Sequence, residues 1–196
     1  MNKYQTLIKQ LEEEYKDKGH KFVAGVGTHL YGKTPHKGKD TWHHEVFRPL
    51  KENEISELQV RIGIELPEPF KDLYRVANGL RLFSDELSID GLRTLLGRSG
   101  DSVWQPYSLL EPNTLERPLD ADKDDLFIGG YSFDGSLVKL SGRTGVVEVC
   151  KRARAKDTFA RWPDLPTFLH QEYKRLKTHF NDKLELIDPD ASTLPG

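Results

Sequence analysis

The sequence predicts a single α+β domain with a mostly antiparallel sheet flanked by helices. Apolar residues recur at helical spacing near both ends of the chain, and short strand-like segments with glycine-containing turns lie between them. Helical and strand patterns are therefore segregated rather than alternating, which is typical of the α+β class. A chain of 196 residues is also within the usual length of one domain.

The first element is predicted to be a helix over residues 2–18. Its apolar stripe consists of Tyr4, Leu7, Ile8, Leu11 and Tyr15, and Gly19 follows as a C-cap. Residues 22–27 fit a short strand. Residues 28–42 are polar and rich in Gly, Pro, Lys and His, which favours a loop or a loose hairpin.

Two further helices are predicted around a proline-containing hinge. Asn53 is the expected N-cap of the first, and Gly63 the expected C-cap. The second begins at Pro69, whose fixed φ suits a first helical turn. We expect it to end at Asn78 and Gly79, because both residues tolerate a positive φ.

The second half of the chain is predicted to contain mainly strands. LRLF and ELSIDGL flank a turn at Ser84 and Asp85, and residues 93–126 are irregular. Residues 126–150 predict three short strands in a meander, with Phe-Asp-Gly and Gly-Arg-Thr-Gly at the turns. Asp164 and Pro166 open a final helix, and residues 181–196 form a polar tail without clear periodicity.

Composition and charge restrict the function. The mean hydropathy is -0.63, no apolar run approaches the roughly 20 residues that cross a bilayer, and no secretory signal is recognisable at the N-terminus. With a lone cysteine, Cys150, this predicts a cytoplasmic protein without membrane contact. The net charge is -2, and residues 51–196 hold 20 basic against 25 acidic residues, so direct nucleic-acid binding is not expected.

A histidine-rich segment is the strongest chemical signal in the sequence. It contains His29, His36, His43 and His44. With Asp40 and Glu45 nearby, it offers ligands that a nuclease metal would accept, and TWHHE resembles the first strand of HNH-type nucleases. The following helix lacks the further His or Asn which that motif requires, so a solvated basic loop is the favoured interpretation. No nucleophile or phosphate-loop motif is present, and no catalytic residue or cofactor is predicted.

An acidic run and a tryptophan are candidates for partner contact. The run DADKDD lacks EF-hand spacing, which favours a solvated face that steers a basic partner. Trp104 lies in an irregular segment, where it either plugs the core or anchors another protein.

An ordered series of segments resembles the SUKH superfamily. The series is ISELQVRIGIELPEPFKDLYRVANGL, LSIDGLR, LFIGGYSFDGSLVKLSGRTGVVEVC and WPDLPTFLHQEYKRL, and ELPEPFKDLYRVANGL is its most specific part. That superfamily comprises yeast cell-wall-synthesis regulators and many bacterial immunity proteins. The resemblance implies a SUKH-like domain over residues 50–180. An N-terminal helix and His-rich loop extension, residues 1–49, would pack on it, and residues 181–196 would follow as a C-terminal tail.

The resemblance also implies a function. The protein would be an immunity protein, not an enzyme, that binds and neutralises a cognate secreted toxin, often a nuclease. The resemblance transfers no contact residue. The candidates for contact are instead residues expected to be exposed: Asp85, Glu86, Trp104, Asp120, Asp122, Asp124 and Asp125. Two alternatives stay open: a metal-dependent nuclease that uses the histidines of residues 29–44, and a non-toxin regulatory scaffold.

Overall fold

The computed structural model describes residues 2–95, 97 and 99–196. Within them it contains five α-helices: α1 (Lys3–Tyr15), α2 (Glu52–Ile62), α3 (Glu68–Tyr74), α4 (Leu110–Asn113) and α5 (Leu165–Lys177). It also contains nine strands: β1 (His20–Val23), β2 (Thr28–Lys33), β3 (Trp42–Val46), β4 (Leu80–Leu82), β5 (Leu87–Ile89), β6 (Asp125–Tyr131), β7 (Leu137–Ser141), β8 (Val147–Lys151) and β9 (Arg154–Trp162). The predicted α+β class is confirmed.

The strands of the described residues form one antiparallel sheet in chain order, from β1 to β9. The predicted meander corresponds to β6, β7 and β8, and LRLF and ELSIDGL contain β4 and β5. β9 was not predicted, because its alternation of charged and small residues carries little apolar signal. The described helices show no segment long and apolar enough to cross a bilayer.

The N-terminal segment belongs to this sheet. Asn2 caps α1 by accepting hydrogen bonds from the amides of Tyr4 and Gln5. For residues 28–42 the hairpin alternative is confirmed, because β2 and β3 pair antiparallel. The prediction of a solvated loop is wrong for His43 and His44, which are buried on β3.

The ends of α2 and α3 differ partly from prediction. Gly63 has φ +68 and caps α2 as expected, but Lys51 rather than Asn53 is the N-cap residue. α3 ends at Tyr74, before Asn78 and Gly79, so the prediction that these two residues end the helix is wrong. A Cβ on Gly79 would lie 2.3 Å from the Ile89 carbonyl oxygen, so glycine is needed there for close backbone approach to β5.

Asn78 instead fixes the chain that follows β5. Its side chain donates to the Leu92 carbonyl and accepts from the Leu92 amide, both at 2.7 Å and both buried. We expect Asn78→Ala to lower the free energy of unfolding by about 2 kcal/mol, because both backbone groups lose their partner. Urea unfolding measures this. Exposed Asn53→Ala is the control, and equal stability of the two variants would contradict the assignment.

The two faces of the sheet differ in character. Leu87 and Ile89 of β5 lie in the main core with the apolar residues of α1, α2, α3 and α5, so Ser88 points to the opposite, outer face. A row of paired residues crosses that outer face: Glu45, Arg81, Ser88, Gly130, Leu137 and Cys150. The middle of the outer face is therefore polar and carries little side-chain bulk.

The chain after α5 packs against the rest of the protein. Asp164 caps α5 by accepting from the Thr167 amide, as predicted. Beyond the helix, Leu184 is buried, and the Thr193 hydroxyl donates to the Glu86 carboxylate at 2.8 Å. Because residues 181–196 are mostly polar, their sequence did not predict these few anchoring contacts.

Candidate functional site: an acidic cleft on the outer face

A cleft of about 700 Å³ opens over the middle of the outer-face row, and we call it the outer-face cleft. Ser88, Gly129, Gly130 and Leu137 contribute to its lining. A Cβ on Gly129 would lie 2.0 Å from the Ser88 carbonyl oxygen, because the strand backbones approach closely beside a register shift in β6. Gly129 and Gly130 bring no side chain into the cleft, so they leave its space unfilled.

Charged residues of both signs line the outer-face cleft: Asp85, Asp90, Glu111, Glu116, Arg93 and Arg152. The arginines have other partners. Arg152 pairs with Glu116 at 3.5 Å, and Arg93 donates to the carbonyl oxygens of Leu95 and Gly97. Asp85 and Asp90 therefore have no ion-pair partner among the described residues.

Asp90, directly after β5, is the most buried of these carboxylates, with 8% of its surface exposed. Its backbone is fixed, because its amide donates to the Ile128 carbonyl at 2.8 Å and its carbonyl accepts from the Tyr74 hydroxyl at 3.0 Å. Its side chain accepts one long hydrogen bond, from Ser88 Oγ to Oδ1 at 3.4 Å. Burial raises the pKa of Asp90 to about 7.

Asp85 reaches the cleft from a strained turn between β4 and β5. Phe83, Ser84 and Asp85 have φ values of 56, 56 and 75°, a left-handed conformation that costs energy for residues other than glycine. The Tyr107 hydroxyl donates to Asp85 Oδ2 at 2.6 Å, whereas Oδ1 is buried with no hydrogen-bond partner in the described part of the chain.

His43 and His44 support this turn from β3. The Ser84 amide donates to the His43 carbonyl at 2.7 Å, and His43 Nδ1 lies 3.0 Å from Ser84 Oγ. The Phe83 amide donates to His44 Nδ1 at 3.4 Å. Both imidazoles pack against the Tyr15 and Phe83 rings, with centroid separations of 4.3–5.4 Å. The two histidines therefore position Asp85 through the turn.

This packing predicts acid sensitivity. Burial lowers the pKa of His43 to about 3, so its contribution to stability is present above the unfolded pKa of about 6.5 and is lost as the pH falls. When the pH falls from 7.5 to 4.5, wild type should lose about 2–3 kcal/mol more unfolding free energy than His43→Phe loses. Urea unfolding at both pH values measures this. Exposed His36→Gln is the control, and a pH-independent difference for His43→Phe would contradict the prediction.

The structure does not gather the four histidines of the proposed metal site. His43 and His44 contact each other at 4.5 Å between ring centroids, among aromatic rings. His29 Nδ1 instead lies 3.3 Å from His20 Nε2 at the β1 edge, and His36 lies exposed in the β2–β3 connection. Across residues 2–95, 97 and 99–196, no group of three or more His, Cys, Asp or Glu side chains is arranged to hold a metal ion.

Two of the predicted contact residues are not exposed. Glu86 is buried because the C-terminal segment covers it, with Thr193 donating to its carboxylate. Asp125 is buried at the start of β6, where Lys139 pairs with it at 3.3 Å. The expectation that these two carboxylates are exposed is wrong.

The other predicted contact residues lie at the surface or partly buried. Asp120 accepts from the amides of Ala155 and Lys156, and these hydrogen bonds lower its pKa. Asp122 lies 3.7 Å from Lys156, and Asp124 lies 3.5 Å from Arg143. The acidic run is therefore largely balanced by neighbouring cations. Partner contact by Asp120, Asp122 and Asp124 stays a prediction.

Trp104 is half-buried, which falls between the two predictions made for it. Lys21 Nζ lies 5.6 Å from its ring centroid, and its carbonyl accepts from Thr28 Oγ1 at 2.8 Å. Partner contact by Trp104 also stays a prediction.

The sequence interpretation missed Asp90 and Glu111, although it included Asp85. Asp90 is the aspartate of ELSIDGL and immediately precedes a glycine, a pattern typical of an ordinary turn. A polar residue directly after a buried strand was the available signal. Its environment is created by segments distant along the chain, because its amide donates to the Ile128 carbonyl and its carbonyl accepts from the Tyr74 hydroxyl.

Together these features define an α+β protein whose antiparallel sheet carries an acidic cleft on one face. The family model for the SMI1 / KNR4 family (SUKH-1) matches residues 49–171, which is more than half of the chain. The chain belongs to this family. All the charged residues of the outer-face cleft lie within the match, whereas β1, β2 and β3 precede it.

The SUKH domain family includes immunity proteins, and its members are typically immunity or regulatory proteins rather than enzymes. A comparison with curated proteins finds no match.

Proposed function

We propose that this protein is a cytoplasmic immunity protein that binds and neutralises a cognate secreted toxin, a nuclease of a polymorphic or contact-dependent toxin system. Membership of the SUKH family is the observation that carries the proposal, because that family includes immunity proteins. Neutralisation needs only a stable complex, so no reaction is assigned to the outer-face cleft.

The charge of the outer-face cleft supports a basic partner. Nucleases hold the phosphates of their substrate with Lys and Arg side chains, so their substrate-binding surface is positive. Asp85 and Asp90 offer carboxylates without an ion-pair partner in the described part of the chain, in a cleft of about 700 Å³. Opposite charges would speed the encounter and would suppress binding of acidic competitors.

Binding through these carboxylates would also explain inhibition. A toxin side chain that is engaged by Asp85 or Asp90 no longer contacts a nucleic-acid phosphate. The immunity protein would then compete with the substrate for the same positive groups, with no need to alter the toxin's fold.

Co-expression tests the proposal. The protein is produced in a bacterial host together with the product of the adjacent toxin-like reading frame, and survival is compared with cells that carry an empty vector. We expect survival only when the immunity protein is present. Equal killing with and without the folded protein would contradict the toxin assignment and would favour a regulatory scaffold.

A further inference from the structure

We infer that the outer-face cleft takes an arginine side chain of the protein partner, with its guanidinium held between the carboxylates of Asp85 and Asp90. This inference rests on the proposed function for the identity of the partner. The choice of arginine as the ligand rests on the chemistry of the cleft.

The first argument is the state of Asp90. Its side chain is more than nine-tenths buried, its Oδ2 accepts no hydrogen bond from the described residues, and its one hydrogen bond at Oδ1 is long. A buried carboxylate is costly unless a cation or several donors compensate it. Because Asp90 lines the cleft, such a cation can reach it from solvent.

The second argument is Asp85, which faces the same cleft from the strained turn. One of its carboxylate oxygens is held by Tyr107, and the other is buried without a partner among the described residues. Both carboxylates line the outer-face cleft, and Oδ2 of each can accept a further hydrogen bond, whereas Asp85 Oδ1 is closed to solvent. A guanidinium has five N–H donors in a fixed plane and can serve both, which a single ammonium does less well.

The third argument is that the protein's own nearby arginines are engaged elsewhere. Arg81 pairs with Glu45 at 3.1 Å and donates to the Gln105 carbonyl at 2.6 Å. Arg93 binds backbone carbonyls, and Arg152 pairs with Glu116, as described above. None of these three arginines therefore forms an ion pair with Asp85 or Asp90.

The remaining lining suits an arginine stem. Pro112 and Leu137 provide apolar surface for the methylene groups. Tyr107 is 42% exposed, and the Arg81 guanidinium lies over its ring at 4.4 Å from the centroid. Ser132 and Ser136 add hydroxyl groups at the same cleft. Arginine side chains commonly bury their stem on apolar surface while the charged end binds carboxylates.

NMR titration with a short blocked peptide tests the inference on the full chain. The probe is acetyl-Gly-Arg-Gly-amide, and the control peptide replaces arginine with citrulline, which keeps the shape and loses the charge. We expect saturable shifts of the Ser88, Gly129 and Gly130 amide resonances with the arginine peptide only. Asp90→Asn and Asp85→Asn should each weaken binding about tenfold, and exposed Asp17→Asn should leave it unchanged.

Three results would overturn the inference. These are equal shifts with the citrulline peptide, no shift of the cleft amides at millimolar arginine peptide, and tighter binding of Mg²⁺ or Ca²⁺ at the same amides. The test is independent of the toxin. Cleft binding without protection in cells would contradict the proposed function alone, and protection without cleft binding would contradict this inference alone.

Discussion

Replacing Asp90 with asparagine is expected to raise the free energy of unfolding by about 4 kcal/mol at pH 8. The folded-state pKa of Asp90 is about 7, whereas an unfolded aspartate has a pKa of about 3.9. Between these values the folded protein keeps a proton that the unfolded chain has released, so stability falls as the pH rises and is constant above about pH 7. Asparagine carries no charge and removes this loss.

The groups around Asp90 explain why burial dominates its pKa. Ser88 and Arg81 favour the charged form, while Asp85 and Glu111 oppose it. Arg81 is already engaged by Glu45, so its attraction for Asp90 is weak relative to the loss of water around a buried carboxylate.

Urea unfolding of wild type and Asp90→Asn at pH 4, 6 and 8 measures this effect. The gain should approach zero at pH 4 and reach its full value at pH 8. Asp17→Asn on the exposed surface is the control and should show no gain at any pH. A variant that is less stable than wild type at pH 8 would show that the Asp90 carboxylate is compensated within the protein. A residue that lowers stability in the free protein is what a binding site is expected to contain.

Replacing Arg175 with alanine should lower the free energy of unfolding by about 3–5 kcal/mol. Arg175 on α5 pairs with Glu172, whose side chain is 2% exposed, through contacts of 2.6 and 3.0 Å. The Tyr131 hydroxyl donates to the same carboxylate at 2.6 Å. Without the guanidinium, Glu172 is left as a buried charge with a single strong donor. Arg175 also donates to the Thr193 carbonyl, so the C-terminal segment loses an anchor.

Two further variants test whether the loss of stability comes from the Glu172–Arg175 ion pair. Lys174→Ala, at the exposed neighbouring position, should change stability by less than about 0.5 kcal/mol. The double variant Glu172→Leu/Arg175→Met should recover most of the loss, because a buried ion pair can be replaced by apolar residues at little cost. Urea unfolding provides the comparison, and equal losses for Arg175→Ala and Lys174→Ala would contradict the assigned role.

The parts of the fold that were predicted correctly depend on local signals. The stripe of α1, Gly63 at the end of α2 and Asp164 before α5 are each defined within a few residues of chain. The turns of β6, β7 and β8 are likewise local, because Asp-Gly and Gly-containing sequences favour hairpins. Such features do not require knowledge of the rest of the structure.

The errors concern residues whose environment is created by distant segments. His43 and His44 were predicted to be solvated. In the structure they are buried, because neutral imidazoles pack well against aromatic rings such as Tyr15 and Phe83. Glu86 was expected to be exposed, but the segment around Thr193 covers it in the structure. The candidate site shows the same limit. Only Asp85 was selected, and the environment of Asp90 includes Tyr74 and Ile128, which are distant along the chain.

Affinity capture from the native host tests the central claim most directly, that this SUKH-family protein binds a toxin through the outer-face cleft. Tagged wild type, Asp17→Asn and the double variant Asp85→Asn/Asp90→Asn serve as baits, with mass spectrometry as the readout. We predict that wild type and Asp17→Asn recover one larger secreted protein with a C-terminal toxin module, and that the double variant recovers far less. Equal recovery by all three baits would contradict the cleft as the binding site, and recovery of no toxin by wild type would contradict the immunity function.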